Sequence, residues 1–229
     1  DLEQSQYKLI ELTPEVAALF EEIRIQSDEF PSSLCIKATL PDEEPVLCTK
    51  DKTFTIRKQH YSNSLLLLSP SLTFVPNVQN YQDPVFEVVD VLNYFCELTL
   101  SAPKIEQLNE LLQPTIYKGP EEEREYKDKK FYTFDELDNL VQASVKELKQ
   151  ALKNNFALEI NGYWRYIDLE YIHNILNAIL LIIDLWSVQL ECIPLKAACD
   201  AAKGYGHPTF IIQHIFECFS ESVDYADES

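Results

Sequence analysis

Residues 131–167 constrain the fold more than any other part of this chain. "TFDE" (Thr133–Glu136) and "SVKE" (Ser144–Glu147) each set a hydroxyl residue three positions before a glutamate. At that spacing the hydroxyl caps the N–H of the third helical residue, and the carboxylate reaches back to the N–H of the cap. Two helices are therefore expected, over 134–141 and 145–154, joined by a very tight connection. The second should bury Val145, Leu148 and Leu152. "FALEINGYWRYI" follows, two short strands around Asn161-Gly162, the preferred dipeptide of a two-residue type I′ hairpin. Helix, tight turn, helix and β-hairpin together describe a winged-helix module.

Such modules often read DNA with the second helix in the major groove. Lys146, Lys149 and Lys153 recur at i, i+3 and i+7, on the face away from the expected core, and Tyr163 and Arg165 lie on the hairpin. These five are the contact candidates of this half. Charge weighs against DNA as the partner. The chain holds 19 Lys and Arg against 38 Asp and Glu, a net charge of −19, which repels a phosphate backbone. Residues 126–165 are nearly neutral, with seven Lys or Arg against six Asp or Glu. A solvated lysine face or a protein contact is favoured over DNA.

The chain before this module reads differently. Residues 5–103 suggest strands at "YKLIEL", "SLCIKATL", "PVLCTK", "TFTIRK", "SLLLLS", "PVFEVVDVL" and "NYFCELTLS", with one helix at "TPEVAALFEE" opened by Thr13 and Pro14. Phe54 and Ile56 alternate with Thr55 and Arg57, as in a half-buried strand. Lys50, Asp51 and Lys52 then sit on a hairpin turn, where a solvated role is favoured over a catalytic one. "APKIEQLNELLQP" is a short helix presenting Ile105, Leu108, Leu111 and Leu112. "YKGPEEEREYKDKK" alternates charge without apolar period and reads as a linker, with the domain boundary near 121–127.

After the hairpin, Asp168 can cap a long helix to about Trp186, with Ile172, Leu176, Ile179 and Ile183 in one stripe. Ile175, Leu180, Ile182 and Leu185 widen that stripe almost all round, so the helix should be sandwiched. "IPLKAACDAAKGYG" and "HPTFIIQHIFECFSES" suggest two more helices, the second with Ile212, Ile215, Phe216 and Phe219 along one face. They look like a second winged-helix unit that stops before its wing.

Several chemistries find no footing. The six cysteines are scattered, with no C-x-x-C pair, and the four histidines are equally dispersed, so free thiols are favoured over a metal site. Four glycines, Gly119, Gly162, Gly204 and Gly206, supply neither a phosphate-cradling loop nor a nucleophile elbow. The longest apolar run, "ILNAILLIIDLW", is too short to span a membrane and is broken by Asn177 and Asp184. Asp1 at the start and the lack of Met suggest a trimmed or matured chain, and no secretory signal opens it.

Against this background, "YKLIELTPE", "VLCTKDKTFTIRKQHYSNSLLLL" and "INGYWRYIDLEY" resemble the defective-in-cohesion family of sister chromatid cohesion proteins. The resemblance covers nearly the whole chain in the same order, with "VLC-T-KDKT", "SN-LLL" and "GYWR" as its specific points. It implies a nuclear, non-catalytic accessory subunit of an alternative replication factor C clamp loader, with no cofactor. It implies that the β-rich half interlocks with a small chromosome-transmission-fidelity subunit and the C-terminal tail of the clamp-loader ATPase large subunit. It implies docking on the catalytic subunit of DNA polymerase epsilon, with Lys146, Lys149, Lys153, Tyr163 and Arg165 as polymerase or DNA contact candidates. DNA binding attributed to the family's far C-terminal modules does not carry over, so DNA contact is expected to be weak or absent here.

The resulting expectation is an α+β chain. A β-rich module over 1–103 forms a barrel completed by partners, and 104–130 holds a short helix and linker. A winged-helix module occupies 131–190, and a truncated second one 191–229. Many short strands with one covering helix leave sheet edges open unless another chain pairs with them. "SLLLL" and "VFEVVDV", apolar on both faces, suit a shared core. Val46, Leu47, Phe54, Ile56, Leu65, Leu66 and Leu67 are accordingly the partner-binding candidates. Two rivals stand beside this reading: a DNA-binding winged-helix regulator, and a hydrolase using acids such as Asp51 or Glu87.

Overall fold

Two long strands organise the first half of the chain. A computed structural model describes residues 7–26, 34–38, 43–70, 86–126, 128–186, 196, 199, 203, 204 and 206–219. It divides into two units, Asp1–Ala102 and Pro103–Ser229. The architecture is α+β, and the sheet of the first unit is open rather than closed into a barrel among the described residues.

That sheet contains β1 (Ile10–Glu11), β2 (Cys35–Lys37), β3 (Val46–Cys48), β4 (Thr53–Pro70) and β5 (Phe86–Ser101), in the order β1-β5-β4-β3-β2. β1 pairs parallel with β5; the other neighbours are antiparallel. "TFTIRK" and "SLLLLS", expected as separate strands, are one continuous strand, and so are "NYFCELTLS" and the described part of "PVFEVVDVL", Phe86–Leu92. The reason is cross-strand. Residues 61–64 of β4 lie opposite Asn93 alone, so the ladder absorbs "YSNS" as an irregularity and resumes at Leu65↔Leu92.

Helix α1 (Pro14–Gln26) covers one face. Its Val16 is buried with Leu47, Phe54, Ile56 and Leu98, with Ile10, Phe20 and Cys96 packed at the margin. Thr13 opens the helix as expected, its hydroxyl accepting from Val16 N at 3.4 Å. The turn from β3 to β4 also forms as read: Thr49 N donates to Lys52 O at 2.9 Å, and Thr49 Oγ1 accepts from Lys52 N at 3.0 Å.

In the second unit, α2 (Glu106–Leu112) contributes Leu108 and Leu112 to a core shared with α3 (Phe134–Leu140) and α4 (Val145–Asn154). Both capping boxes close. Thr133 Oγ1 accepts from Glu136 N at 3.3 Å while Thr133 N donates to Glu136 Oε2 at 2.9 Å; Ser144 and Glu147 exchange the same bonds at 3.3 and 3.0 Å. Leu148, Ala151 and Leu152 form the buried face of α4, whereas Val145, expected inside, is 37% exposed. Val145 is the first helical residue, where the chain has only begun to turn toward the core.

The hairpin of β6 (Ala157–Ile160) and β7 (Tyr163–Tyr166) turns at Asn161 (φ 54°) and Gly162 (φ 85°), the two positive values a type I′ turn requires. Trp164 N donates to Tyr132 O at 2.9 Å, which ties the segment before α3 to the hairpin. Asp168 caps α5 (Leu169–Trp186), its Oδ1 accepting from Glu170 N at 3.0 Å. Ile172, Ile175, Ile179, Ile182 and Ile183 of α5 pack with Ile211, Ile212 and Ile215 of α6 (Thr209–Phe219). Leu180, Leu181 and Leu185 remain exposed, so among the described residues α5 is covered on one side rather than sandwiched. The helix expected in "IPLKAACDAAKGYG" falls almost entirely outside the described residues.

The expected linker is structured. Tyr117 bridges to Ile167, and residues 122–126 form a 3₁₀ turn that packs with the second unit. The two units divide in sequence at Ala102/Pro103.

Candidate interaction surfaces

The first surface is the far half of the β4–β5 ribbon. β3 reaches β4 only as far as Thr55, and β1 meets β5 only at Cys96 and Glu97. Over Leu65–Pro70 and Phe86–Leu92 the two strands pair with each other, and neither outer edge has a strand beside it among the described residues. Successive strand residues point to opposite faces. Leu65 and Leu66 are both exposed, as are Val88 and Val89, so the ribbon is apolar on both faces. Leu66 and Phe86 each keep 53% of their surface in water. Covering one such half-exposed side chain gains about 1 kcal/mol.

The partner-binding candidates therefore separate. Val46, Leu47, Phe54 and Ile56 are buried in the unit's own sheet and serve its core. Leu65 and Leu66 are exposed on the ribbon, and Leu67 is half-buried. Between the two regions lies an aromatic and basic belt. Tyr61 stacks on Phe95 with centroids 4.6 Å apart, and Lys58 Nζ lies 4.0 Å from the Tyr94 centroid.

The second surface belongs to α4 and the hairpin. Lys146, Lys149 and Lys153 are all exposed, as their spacing suggested, and Lys149 Nζ lies 5.4 Å from the Phe134 ring. Tyr163 is exposed at the hairpin, its ring 5.7 Å from that of Phe131. Arg165, in contrast, is 1% exposed and presents no contact surface. Its Nη1 donates to both carboxylate oxygens of Glu123, at 2.7 and 2.9 Å, and its Nε to Thr115 O at 2.7 Å. Tyr117, Tyr126 and Phe131 surround the guanidinium carbon with ring centroids at 5.1, 4.9 and 5.2 Å. The correction has a plain cause: a planar cation with fixed donors is stable inside only where a carboxylate, carbonyls and ring faces all meet it.

Burial raises the Tyr117 and Tyr126 hydroxyl pKa values above the ordinary tyrosine range, so both stay neutral beside that cation. Glu123 and Tyr126 are the functional-looking residues the sequence reading assigned to a linker. Forty-two positions separate Glu123 from Arg165, and no local pattern links them.

An open hollow of about 350 Å³ lies beside this cluster, lined by residues including Lys129, Phe131, Asn161 and Tyr163. Its one carboxylate, Glu123, is engaged by Arg165, so it offers no pair of acids for general acid–base work. Asp51 is exposed on the β3–β4 turn, its carboxylate accepting from the Thr49 hydroxyl at 3.2 Å. Glu87 is at the opposite end of the ribbon, paired in register with Ser69. At about 3.3 Å per strand residue the two acids are tens of ångströms apart, so Asp51 and Glu87 do not converge on one site. Among the described residues no group of three His, Cys, Asp or Glu could hold a metal ion, and no helix is long and apolar enough to cross a membrane.

An α+β chain with an exposed apolar ribbon in one unit and an exposed lysine-bearing helix in the other has its distinctive features on its exposed surfaces. The chain belongs to the sister chromatid cohesion protein Dcc1 family, whose sequence model matches residues 7–229. It is 32% identical over 227 residues to sister chromatid cohesion protein DCC1 of Xenopus tropicalis, covering 97% of this chain and 55% of that protein. The mouse protein of the same name is 31% identical over 185 residues, 79% of this chain and 46% of the relative. The human one is 31% identical over 194 residues, 82% and 48%. The chain spans about half the length of these relatives.

Proposed function

We propose that this chain is a non-catalytic, nuclear assembly subunit of an alternative, cohesion-type replication factor C clamp loader. In this reading its β-rich unit pairs with a small chromosome-transmission-fidelity subunit and with the C-terminal tail of the clamp-loader ATPase. The assembly then docks on the catalytic subunit of DNA polymerase epsilon and directs sliding-clamp loading during replication. Membership of the cohesion family supports the setting. One observation carries the mechanism: the ribbon at Leu65–Pro70 and Phe86–Leu92 is apolar on both faces, and among the described residues neither outer edge has a strand beside it. A bare two-stranded ribbon is marginal in water, and partner strands that complete a barrel supply both the missing edges and the missing cover.

In the same reading α3, α4 and the β6–β7 hairpin act as a winged helix. Its α4 face offers Lys146, Lys149 and Lys153 to an acidic protein surface. A DNA-binding regulator is the second reading, favoured by the shared exposure of those three lysines and opposed by the net charge of −19.

The test is co-expression of the chain with the small subunit and the ATPase tail, followed by size-exclusion chromatography with light scattering. The wild type should elute as a ternary complex, and Leu66→Asp with Val88→Asp should not, although both sites are exposed in the chain alone. A wild type that stays a partner-indifferent monomer would refute the assembly reading. Salt-dependent duplex binding lost on reversing the three lysines would then favour the regulator.

A further inference from the structure

The same ribbon carries a feature that docking does not use. Only two Ser/Thr-Pro dipeptides occur in the chain, Thr13-Pro14 and Ser69-Pro70. Thr13 is half-buried and its hydroxyl is occupied in capping α1. Ser69 is exposed, in extended backbone one residue from the end of β4. Pro70 lacks a backbone N–H and cannot donate to the ladder, and a serine in extended backbone followed by proline has the local form that a proline-directed kinase accepts.

The surroundings determine what a modification at Ser69 would do. Ser69 pairs in register with Glu87, which puts their side chains on the same face of the ribbon. From Tyr61 to Pro103 the sequence contains no Lys, Arg or His, while Glu87 and Asp90 lie on the opposing strand. A phosphoserine brings a charge of roughly −1.5 to −2, and it either docks on cations or disrupts, according to what meets it. Here neither strand offers a cation beyond His60, the directly opposing side chain is a carboxylate, and the neighbours Leu66, Leu68, Phe86 and Val88 are exposed and apolar.

We propose that Ser69 is a phosphoacceptor for a proline-directed serine/threonine kinase, and that its phosphate closes the apolar ribbon to partner chains. The regulatory half of this inference rests on the docking reading above. In the transfer, Ser69 Oγ forms a bond to the γ-phosphorus of ATP as the β–γ bridging P–O bond breaks; ADP leaves and the hydroxyl proton goes to solvent. The product is a dianion opposite Glu87, at the edge of the surface a partner must dry. Phosphorylation thus acts before assembly, on the free chain, and holds it out of the complex.

The experiment treats the whole chain, wild type and Ser69→Ala, with ATP and a recombinant proline-directed kinase, and locates phosphate by peptide mass spectrometry. Phosphate is expected on Ser69, with Thr13 modified far less. Amide hydrogen exchange over 64–70 and 86–92 should accelerate on phosphorylation. Capture of the two co-expressed chains of the preceding test should fall at least about tenfold, the effect of an unpaired charge in a dry contact. Kinase-treated Ser69→Ala should capture like untreated wild type. A Ser69 left unmodified overturns the inference, and so does a phosphorylated chain with unchanged capture and exchange. Should untreated wild type itself capture nothing, the docking reading and the regulation fall together, while the phosphate and exchange measurements still judge the acceptor site.

Discussion

Replacing Arg165 with methionine should destabilise the second unit markedly, because the side chain is buried and holds charged bonds there. The guanidinium gives the Thr115 carbonyl its charged donor at 2.7 Å, and loss of such a bond costs about 1.5–3 kcal/mol. Glu123 loses a bidentate partner, but its side chain is 36% exposed. Water therefore recovers much of that interaction, and about 1 kcal/mol is a fair share. The rings of Tyr117, Tyr126 and Phe131 lose a cation and gain a flexible apolar chain of similar reach, which offsets part of the cost. The net expectation is about 3 kcal/mol. Both tryptophans, Trp164 and Trp186, belong to Pro103–Ser229, so their emission in a urea titration reports this unit. At a slope of about 2 kcal/mol per molar the midpoint should fall by about 1.5 M. A double-mutant cycle with Glu123→Gln should show the two changes to be coupled. A midpoint shift under about 0.3 M, or strict additivity with Glu123→Gln, would refute the assignment of Arg165 as the tie between the 115–126 segment and the hairpin.

Two further outcomes follow from the same unit. Gly119 has φ +131°, and a Cβ there would lie 3.1 Å from Tyr171 Cε2, so Gly119→Ala should cost about 1–3 kcal/mol in the same titration; an unchanged midpoint would contradict the backbone placement. Burial pushes the Tyr166 hydroxyl up to about 12 and raises that of Tyr171 as well. The folded state therefore keeps protons that the unfolded chain releases above about pH 10. Stability is fully present below that pH and falls by about 1.4 kcal/mol per pH unit for each such tyrosine until the folded group itself ionises. Urea midpoints should drop between pH 9 and pH 11, less steeply in Tyr166→Phe, which also gives up the 2.7 Å bond to Asn109 Oδ1. Equal midpoints at the two pH values would show that these hydroxyls are open to water.

What could be read from residues alone was whatever is decided within a few positions. Thr133 with Glu136, Ser144 with Glu147, Asn161-Gly162 and the Asp168 cap each satisfy backbone groups close by in the chain, and each forms as its spacing suggested. What failed was decided across the fold. Gln59–Asn63 looked like a break between strands, and its Ser62 and Asn63 favour turns, yet β5 supplies a ladder that carries β4 through it. Residues 117–130 looked like a linker because charge alternation hides a requirement that only Arg165, on β7, can reveal. Arg165 itself looked like a surface contact because nothing local announces a buried cation.

The run Leu65–Leu68 is different in kind. Consecutive leucines in a strand state a non-local demand in local terms, because both faces must then be covered wherever the strand lies. α1 meets that demand at Phe54 and Ile56, on one face of one end of the sheet. At the other end it goes unmet by any described element, and the cost of leaving it so is several half-exposed side chains at about 1 kcal/mol each. A chain does not ordinarily keep such a surface on strands lengthened well beyond their neighbours unless the length itself is used. On the docking proposal that exposed run is where a partner chain would sit, and Ser69, in register with Glu87 at its edge and without a cation on either strand nearby, is where a single charge would have most leverage over it.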